Sequence, residues 1–295
     1  MSFALVLSTA PTTPALTADL VAAAAAAAGL PADAARWLFP DVAAELPVAA
    51  AVDLAAVRAA LGNAPIDANL VETDGRRKRL LVADMESTLI ENEMLDDLAA
   101  EIGIGPQIAA ITEKSMRGEV DFAQSVRERV ALLTDLPLSI METCAARIRV
   151  MPGAKSLIAT MAAHGARCVI ATGGFGYFAH PVADDLGCHE VHCNHLEVAA
   201  DGTRLTGRLI DPIFDRAAKR HTLEGAAADL GLPLSATLAV GDGANDLDML
   251  SVAGFGVAFR AKPIVSAAAK LALSHSDLTG LLFLQGYTAS DITRD

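Results

Sequence analysis

The chain has 295 residues, a formal net charge of -13 and a hydrophobic fraction of 53% that is raised by alanine, with one Trp and two Tyr. That length accommodates one large or two modest domains, and the scarcity of aromatics predicts an aliphatic core of helices packed on a parallel sheet. The acidic balance excludes nucleic acid and anionic membranes as natural partners, because either needs a basic footprint.

Residues 3–8 predict a strand, 11–14 a break and 17–28 an alanine-rich helix ended at Gly29. The apolar run at 20–30 has no basic residue before Arg36 and is shorter than the roughly 20 residues that span a bilayer. Neither a secretory leader nor a membrane span is expected. Extended pieces at 36–39, 44–48 and 66–71 and a helix at 54–61 complete a β-α-β-β-α-β order. Such an order predicts a small ferredoxin-like α+β domain over residues 1–75, suited to packing or to homodimerisation. The stretch ETDGRRKR at 72–79 is expected to be a solvated linker without a binding role.

Residues 80–93, LLVADMESTLIENE, change register abruptly. Leu80, Leu81 and Val82 form the short apolar run of a buried parallel strand, and polarity begins at Asp84. Ligands of open parallel sheets bind at the carboxyl ends of strands, which makes Asp84, Glu86, Ser87 and Thr88 a candidate site loop. Asp84 reads equally well as a helix N-cap. Four helices follow, at 94–102, 106–116, 122–133 and 140–148, and predict a helical cap over about 92–150. In the third, Phe122, Val126, Val130 and Leu133 make an apolar stripe at helical spacing that includes Arg129, while Arg127 points away.

Alternation then sets in, with helices at 154–163, 175–186, 217–230, 246–252 and 264–273 and strands at 167–171, 190–194, 237–240 and 256–259. Parallel βα units are expected, interrupted by a hairpin around Asp201 and Gly202. The predicted domain of residues 76–295 is therefore α/β, a doubly wound parallel sheet carrying the cap. Four cysteines, Cys144, Cys168, Cys188 and Cys193, lack the density of a disulfide scaffold and suit a reducing cytoplasm. The run CHEVHCNH at 188–195 invites a zinc reading. Its spacing opposes one, since alternate residues of a strand face opposite ways and no second ligand pair follows.

Two further strand ends carry polar groups: Thr172 and Gly173 in CVIATGG, and Asp242, Asn245 and Asp246 in TLAVGDGANDLDML. Lys219 lies between them on a helix. Taken singly, Gly-Gly is a tight turn, Asp242 a turn residue and Lys219 a solvated lysine. In order, DMEST, ATGG, the lone Lys and GDGAND resemble the four motifs of the haloacid dehalogenase phosphohydrolase superfamily and, more narrowly, its phosphoserine phosphatases, over roughly residues 78–285. The first domain weakly resembles the amino-acid-binding ACT type.

The resemblance implies a phosphatase releasing L-serine from O-phospho-L-serine as the last step of serine biosynthesis. Asp84 would be the nucleophile, forming an aspartyl-phosphate, and Glu86 the acid and base. Asp84, Asp242 and the Glu86 carbonyl would hold Mg²⁺, while Thr172, Gly173 and Lys219 would meet phosphate oxygens. Glu93 would take the substrate ammonium and Arg129 its carboxylate, with Met116 and Phe122 as walls and Ser87 and Asn245 nearby. Glu93 reads equally as a first-turn carboxylate favoured by the helix dipole. At Glu86 the family pattern usually has aspartate, so its longer side chain puts the acid-base geometry in question. Alternatives are another phosphatase or phosphotransferase of the superfamily, or a silent phosphate or amino-acid sensor.

Overall fold

The computed structural model describes residues 2–49, 52–117 and 119–293. Strand β1 (Phe3–Ser8), helix α1 (Ala18–Ala27), strands β2 (Arg36–Phe39) and β3 (Ala43–Val48), helix α2 (Leu54–Leu61) and strand β4 (Asp67–Glu72) come first. Their four strands pair antiparallel in the order β2-β3-β1-β4. Thr17 and Asp53 start the helices by accepting backbone N–H bonds, from Leu20 at 3.3 Å and from Ala55 at 2.9 Å. Alternation along the strands gives the sheet two apolar faces. Leu5, Leu7 and Leu46 pack on Val21, Val57 and Leu61 of the helices, whereas Ala4, Val6 and Val71 join the core of the following sheet.

Strand β5 (Leu80–Ala83) opens the second sheet and is followed by the cap helices α3 (Met94–Glu101), α4 (Gly105–Met116), α5 (Phe122–Ala131) and α6 (Leu138–Ala145). Next come α7 (Ala154–Ala163), β6 (Arg167–Phe175), α8 (Gly176–Leu186), β7 (Glu190–Val198), β8 (Leu205–Ile210), α9 (Arg216–Asp229) and β9 (Thr237–Gly241). The last elements are α10 (Leu247–Val252), β10 (Phe255–Phe259), α11 (Pro263–Ala268), β11 (Leu271–Leu273) and α12 (Gly280–Leu284). The strand order is β11-β10-β9-β5-β6-β7-β8, parallel except for β8, which returns antiparallel along β7. All four residues of β5 are fully buried between β9 and β6, which explains the uninterrupted apolar run. The chain leaves β5 for β6 on one side and returns to β9 on the other, opening a crevice at the carboxyl ends.

Two expectations fail. The helix expected over 264–273 stops at Ala268, and Leu271–Leu273 instead forms an edge strand, Val257 pairing with Leu271. Burial of Leu271 and Leu273 against β10 overrides helix propensity there. Nor is the basic stretch at 72–79 a solvated linker. Lys78 is 6% exposed, donates to the carbonyls of Gly75 (3.1 Å) and Ser235 (2.8 Å) and lies over the Phe255 ring. Arg76 pairs with Glu45 on β3 at 2.7 Å, and Arg77 stacks on Tyr287 and pairs with Asp291. Polar side chains of β4 also reach the other sheet: Asp67 accepts N–H bonds from Ser274, His275 and Ser276, and Asn69 exchanges two bonds with Ala272.

Candidate active site

Asp84 is the first residue beyond β5, 5% exposed, with its N–H bonded to the Val240 carbonyl of β9. Its Oδ1 accepts from Met85 N (2.8 Å) and from Lys219 Nζ (2.7 Å). Among the described residues Oδ2 has no such partner. Lys219 projects from α9, 1% exposed, and also donates to Asp246 Oδ1 at 2.7 Å. Asp246 is fully buried, its Oδ2 accepting the Gly243 N–H at 3.0 Å. Oxygens of Asp84, Asp242 and Asp246 lie within 4.8 Å of one another.

This charge set is unbalanced. Three carboxylates face one ammonium in a desolvated pocket, and the acids respond accordingly. Burial pushes Asp84 above the usual carboxylate range, with Lys219 opposing and Asp246 and Asp242 adding to the rise. Burial and the neighbouring Asp246 push Asp242 up to about 6. Lys219 is driven upward: burial acts against its charge, but Asp246 and Asp84 outweigh it. A hard divalent cation bound by carboxylate oxygens would remove the imbalance, so the donor set fits one. The expected ligands included Glu86, through its carbonyl, and omitted Asp246.

Glu86 turns its carboxyl inward, Oε1 accepting the Met94 N–H at the start of α3 (2.9 Å). Its Oε2 lies 2.7 Å from where a Cβ at Gly174 would stand, so a side chain there would displace the carboxyl from this position. Burial and the charge of Glu93 push Glu86 up to about 8, with the Met94 N–H opposing. Ser87, at φ 54°, swings its hydroxyl to donate to Glu93 Oε1 at 2.6 Å. Thr88 is buried beside them, with its hydroxyl unpartnered.

Thr172 is 1% exposed and accepts the Gly174 N–H at 2.9 Å, a turn that β6 runs straight through. The Gly173 carbonyl is held by Asn194 Nδ2 at 2.8 Å, a support that sequence reasoning had not singled out. From the cap, the Phe122 ring approaches Gly173, with Cζ 3.6 Å from a Cβ built there. Asn245 bends back over Gly243 and stands beside the acidic group. Met116 ends α4, and its side chain lies outside the described residues.

Arg129 lies part-buried on α5 and, among the described residues, donates only to the Ser125 carbonyl, at 3.3 Å. It forms no ion pair with Glu93, whose Oε1 instead accepts from Ser87; Asp96, Glu86 and Glu93 act on Arg129 only through space. Burial lowers its pKa, and those three acids oppose the fall. A guanidinium with several donors unused among the described residues therefore lies on the cap within electrostatic reach of Glu86 and Glu93.

The family model for haloacid dehalogenase-like hydrolases matches residues 81–251. A phosphoserine phosphatase of Mycobacterium tuberculosis is 46% identical over 217 residues, 74% of this chain and 53% of the relative. One from Streptococcus thermophilus is 45% identical over 201 residues, 68% of this chain and 93% of the relative. The chain thus spans about half the length of the first relative and nearly all of the second. Among solved structures, an unliganded probable phosphoserine phosphatase from Vibrio cholerae superposes with a TM-score of 0.81 at 29% identity, over 98% of this chain and 88% of that one. The four ordered motifs, the parallel sheet with its helical cap and these likenesses lead to one conclusion: the chain belongs to the haloacid dehalogenase-like hydrolase family, on its phosphoserine phosphatase branch.

Proposed function

We infer that this chain hydrolyses O-phospho-L-serine to L-serine and phosphate through an aspartyl-phosphate on Asp84. The observation that carries the substrate is Arg129, a part-buried guanidinium without an ion pair among the described residues, near Glu86 and Glu93 at a site whose carboxylates outnumber its one lysine. A desolvated, unpaired charge is costly, and a substrate carboxylate offers it two parallel hydrogen bonds. The substrate ammonium has a natural seat at Glu93, which Ser87 holds in place. Residues 76–295 are read as the catalytic unit and residues 1–75 as an accessory domain.

In the proposed reaction Asp84 Oδ2 attacks phosphorus in line while the bond to the serine oxygen breaks. Glu86, kept protonated by burial, delivers its proton to that oxygen and later takes one from the water that attacks the phosphorus of the intermediate. Water's oxygen leaves in the phosphate, and Asp84 is restored. Thr172, Gly173 and Lys219 would meet the phosphoryl oxygens, a role supported for Lys219 by its contact with the Asp84 carboxylate. Asp84 and Asp242, with Asp246 or the Glu86 carbonyl, would hold Mg²⁺, which would neutralise charge on the phosphoryl group. The deciding experiment is release of phosphate from a panel of phosphorylated amino acids and sugars with and without Mg²⁺. Preference for O-phosphoserine is expected; a sugar phosphate turned over faster would displace this reading, and no turnover of any ester would favour the sensor.

A further inference from the structure

A second group of metal-ligating atoms lies away from the carboxylates. The ligand atoms of His180, Cys193 and His195 are all within 4.8 Å of one another, with Cys193 Sγ 4.0 Å from His195 Nε2 and the two imidazoles stacked at 21°. Strand geometry explains the pair: Cys193 and His195 are two apart on β7 and share a face, while His192 and Asn194 turn the other way, to Phe214. The third ligand comes from the next element in space rather than in sequence, since His180 stands one turn inside α8. That is why counting spacings within CHEVHCNH misses it. The two elements approach closely at Gly176, where a Cβ would lie 3.0 Å from His195 Nδ1 and 3.1 Å from Cys193 Sγ.

We propose that His180, Cys193 and His195 bind one Zn²⁺-class ion, clamping the first turns of α8 to β7. A thiolate with two imidazoles is a borderline-soft donor set that selects Zn²⁺ over Mg²⁺ or Ca²⁺, which demand oxygen. On binding, the Cys193 S–H bond gives way to S–Zn and the proton leaves to solvent, so affinity rises with pH. Tetrahedral zinc needs its ligands roughly 3.4–3.6 Å apart, a closure that rotation of the two exposed histidines would have to supply. A cavity of about 250 Å³, lined by His180, His195, Tyr177 and Leu205, leaves a fourth position for water. The site borders the Thr172–Gly174 turn, whose Gly173 carbonyl is tied to β7 by Asn194 from the opposite face. Occupancy would therefore stiffen the phosphate side of the cleft without touching the acidic group.

The test titrates Co²⁺, then Zn²⁺, into the full chain after reduction and chelator treatment. With excess Mg²⁺ present to occupy the carboxylate group, wild type should develop a thiolate-to-cobalt charge-transfer band that saturates at one equivalent of Co²⁺ and is bleached by Zn²⁺, and Zn²⁺ should raise its thermal midpoint. Cys193→Ser should abolish the band and the thermal shift, and His180→Ala, at an exposed position, should weaken binding at least about tenfold while leaving the fold intact. Phosphatase activity with Mg²⁺ should persist in both variants. Absence of the band, or a band kept in Cys193→Ser and lost in Cys188→Ser, would overturn the proposal. Neither outcome depends on which phosphate ester the enzyme uses.

Discussion

Lys219 and Asp84 respond differently to removal because one is the counter-ion and the other part of the excess. Asp84→Asn keeps the shape and takes one carboxylate from a pocket that holds more acid than base, so turnover should vanish while the thermal midpoint in chelator stays level or rises. Lys219→Ala instead strands two buried carboxylates, and should cost about 3–5 kcal/mol of stability along with activity. Calorimetry beside a phosphate-release assay checks both; substantial turnover by Asp84→Asn would rule out attack by that residue. Asp84, Thr172 and Asp242 are visible in the sequence because each follows a short apolar run of the kind that forms a buried strand. Asp246 is harder to see, since it reads as the start of a helix. Its carboxylate reaches Lys219 only because the 3-10 turn at Ala244–Asp246 folds the loop back, a bend no periodicity reveals. Asn194 is hidden for the related reason that its partner, Gly173, belongs to another strand.

The cap shows both the strength and the limit of periodic patterns. Its four helices fall close to the expected ranges, since amphipathic stripes of 8 to 12 residues and N-caps such as Asp121 are local signals. Which residue faces the crevice is less local. Arg129 shares the buried side of α5 with Val126 and Val130, yet finds no carboxylate there. Arg129→Ala should lower kcat/KM for O-phosphoserine by about 2 kcal/mol or more, as when one member of a buried charge pair is lost. Hydrolysis of p-nitrophenyl phosphate, which has no carboxylate, should change much less. Equal losses on both would mean that Arg129 only holds the cap together. The short edge strand β11 and helix α12 were not legible, because three-residue strands and five-residue helices exist through their packing rather than their propensity.

At the scale of the whole molecule, the first sheet is bound to the second by more than a tether. Glu45 on β3 pairs with Arg36 and with Arg76 of the connecting stretch. Burial works against its ionisation, but the two guanidiniums outweigh that and hold its carboxyl below the ordinary range. A depressed folded-state pKa adds stability above the unfolded value, and the gain is lost as pH falls through the folded one. Glu45→Gln should therefore cost about 1–3 kcal/mol near neutrality, with the gap to wild type closing as pH drops below the usual carboxylate range. A gap independent of pH would mean that the pairing contributes nothing. The same interface governs removal of residues 2–75. No candidate site residue precedes Asp84, and the Streptococcus thermophilus relative is matched almost throughout by 68% of this chain, so the shortened protein should keep its turnover per folded molecule. It should nevertheless be less stable. Leu38, Val42 and Phe39 leave apolar surface bare around Phe283, and the N–H groups of Ser274, His275 and Ser276 lose Asp67. Together these losses should lower the thermal midpoint by at least about 5 °C, at 2–4 °C for each kcal/mol in a domain of that size. An unchanged midpoint would make the first sheet a passive appendage, whereas a folded but inactive product would show that it shapes the cleft.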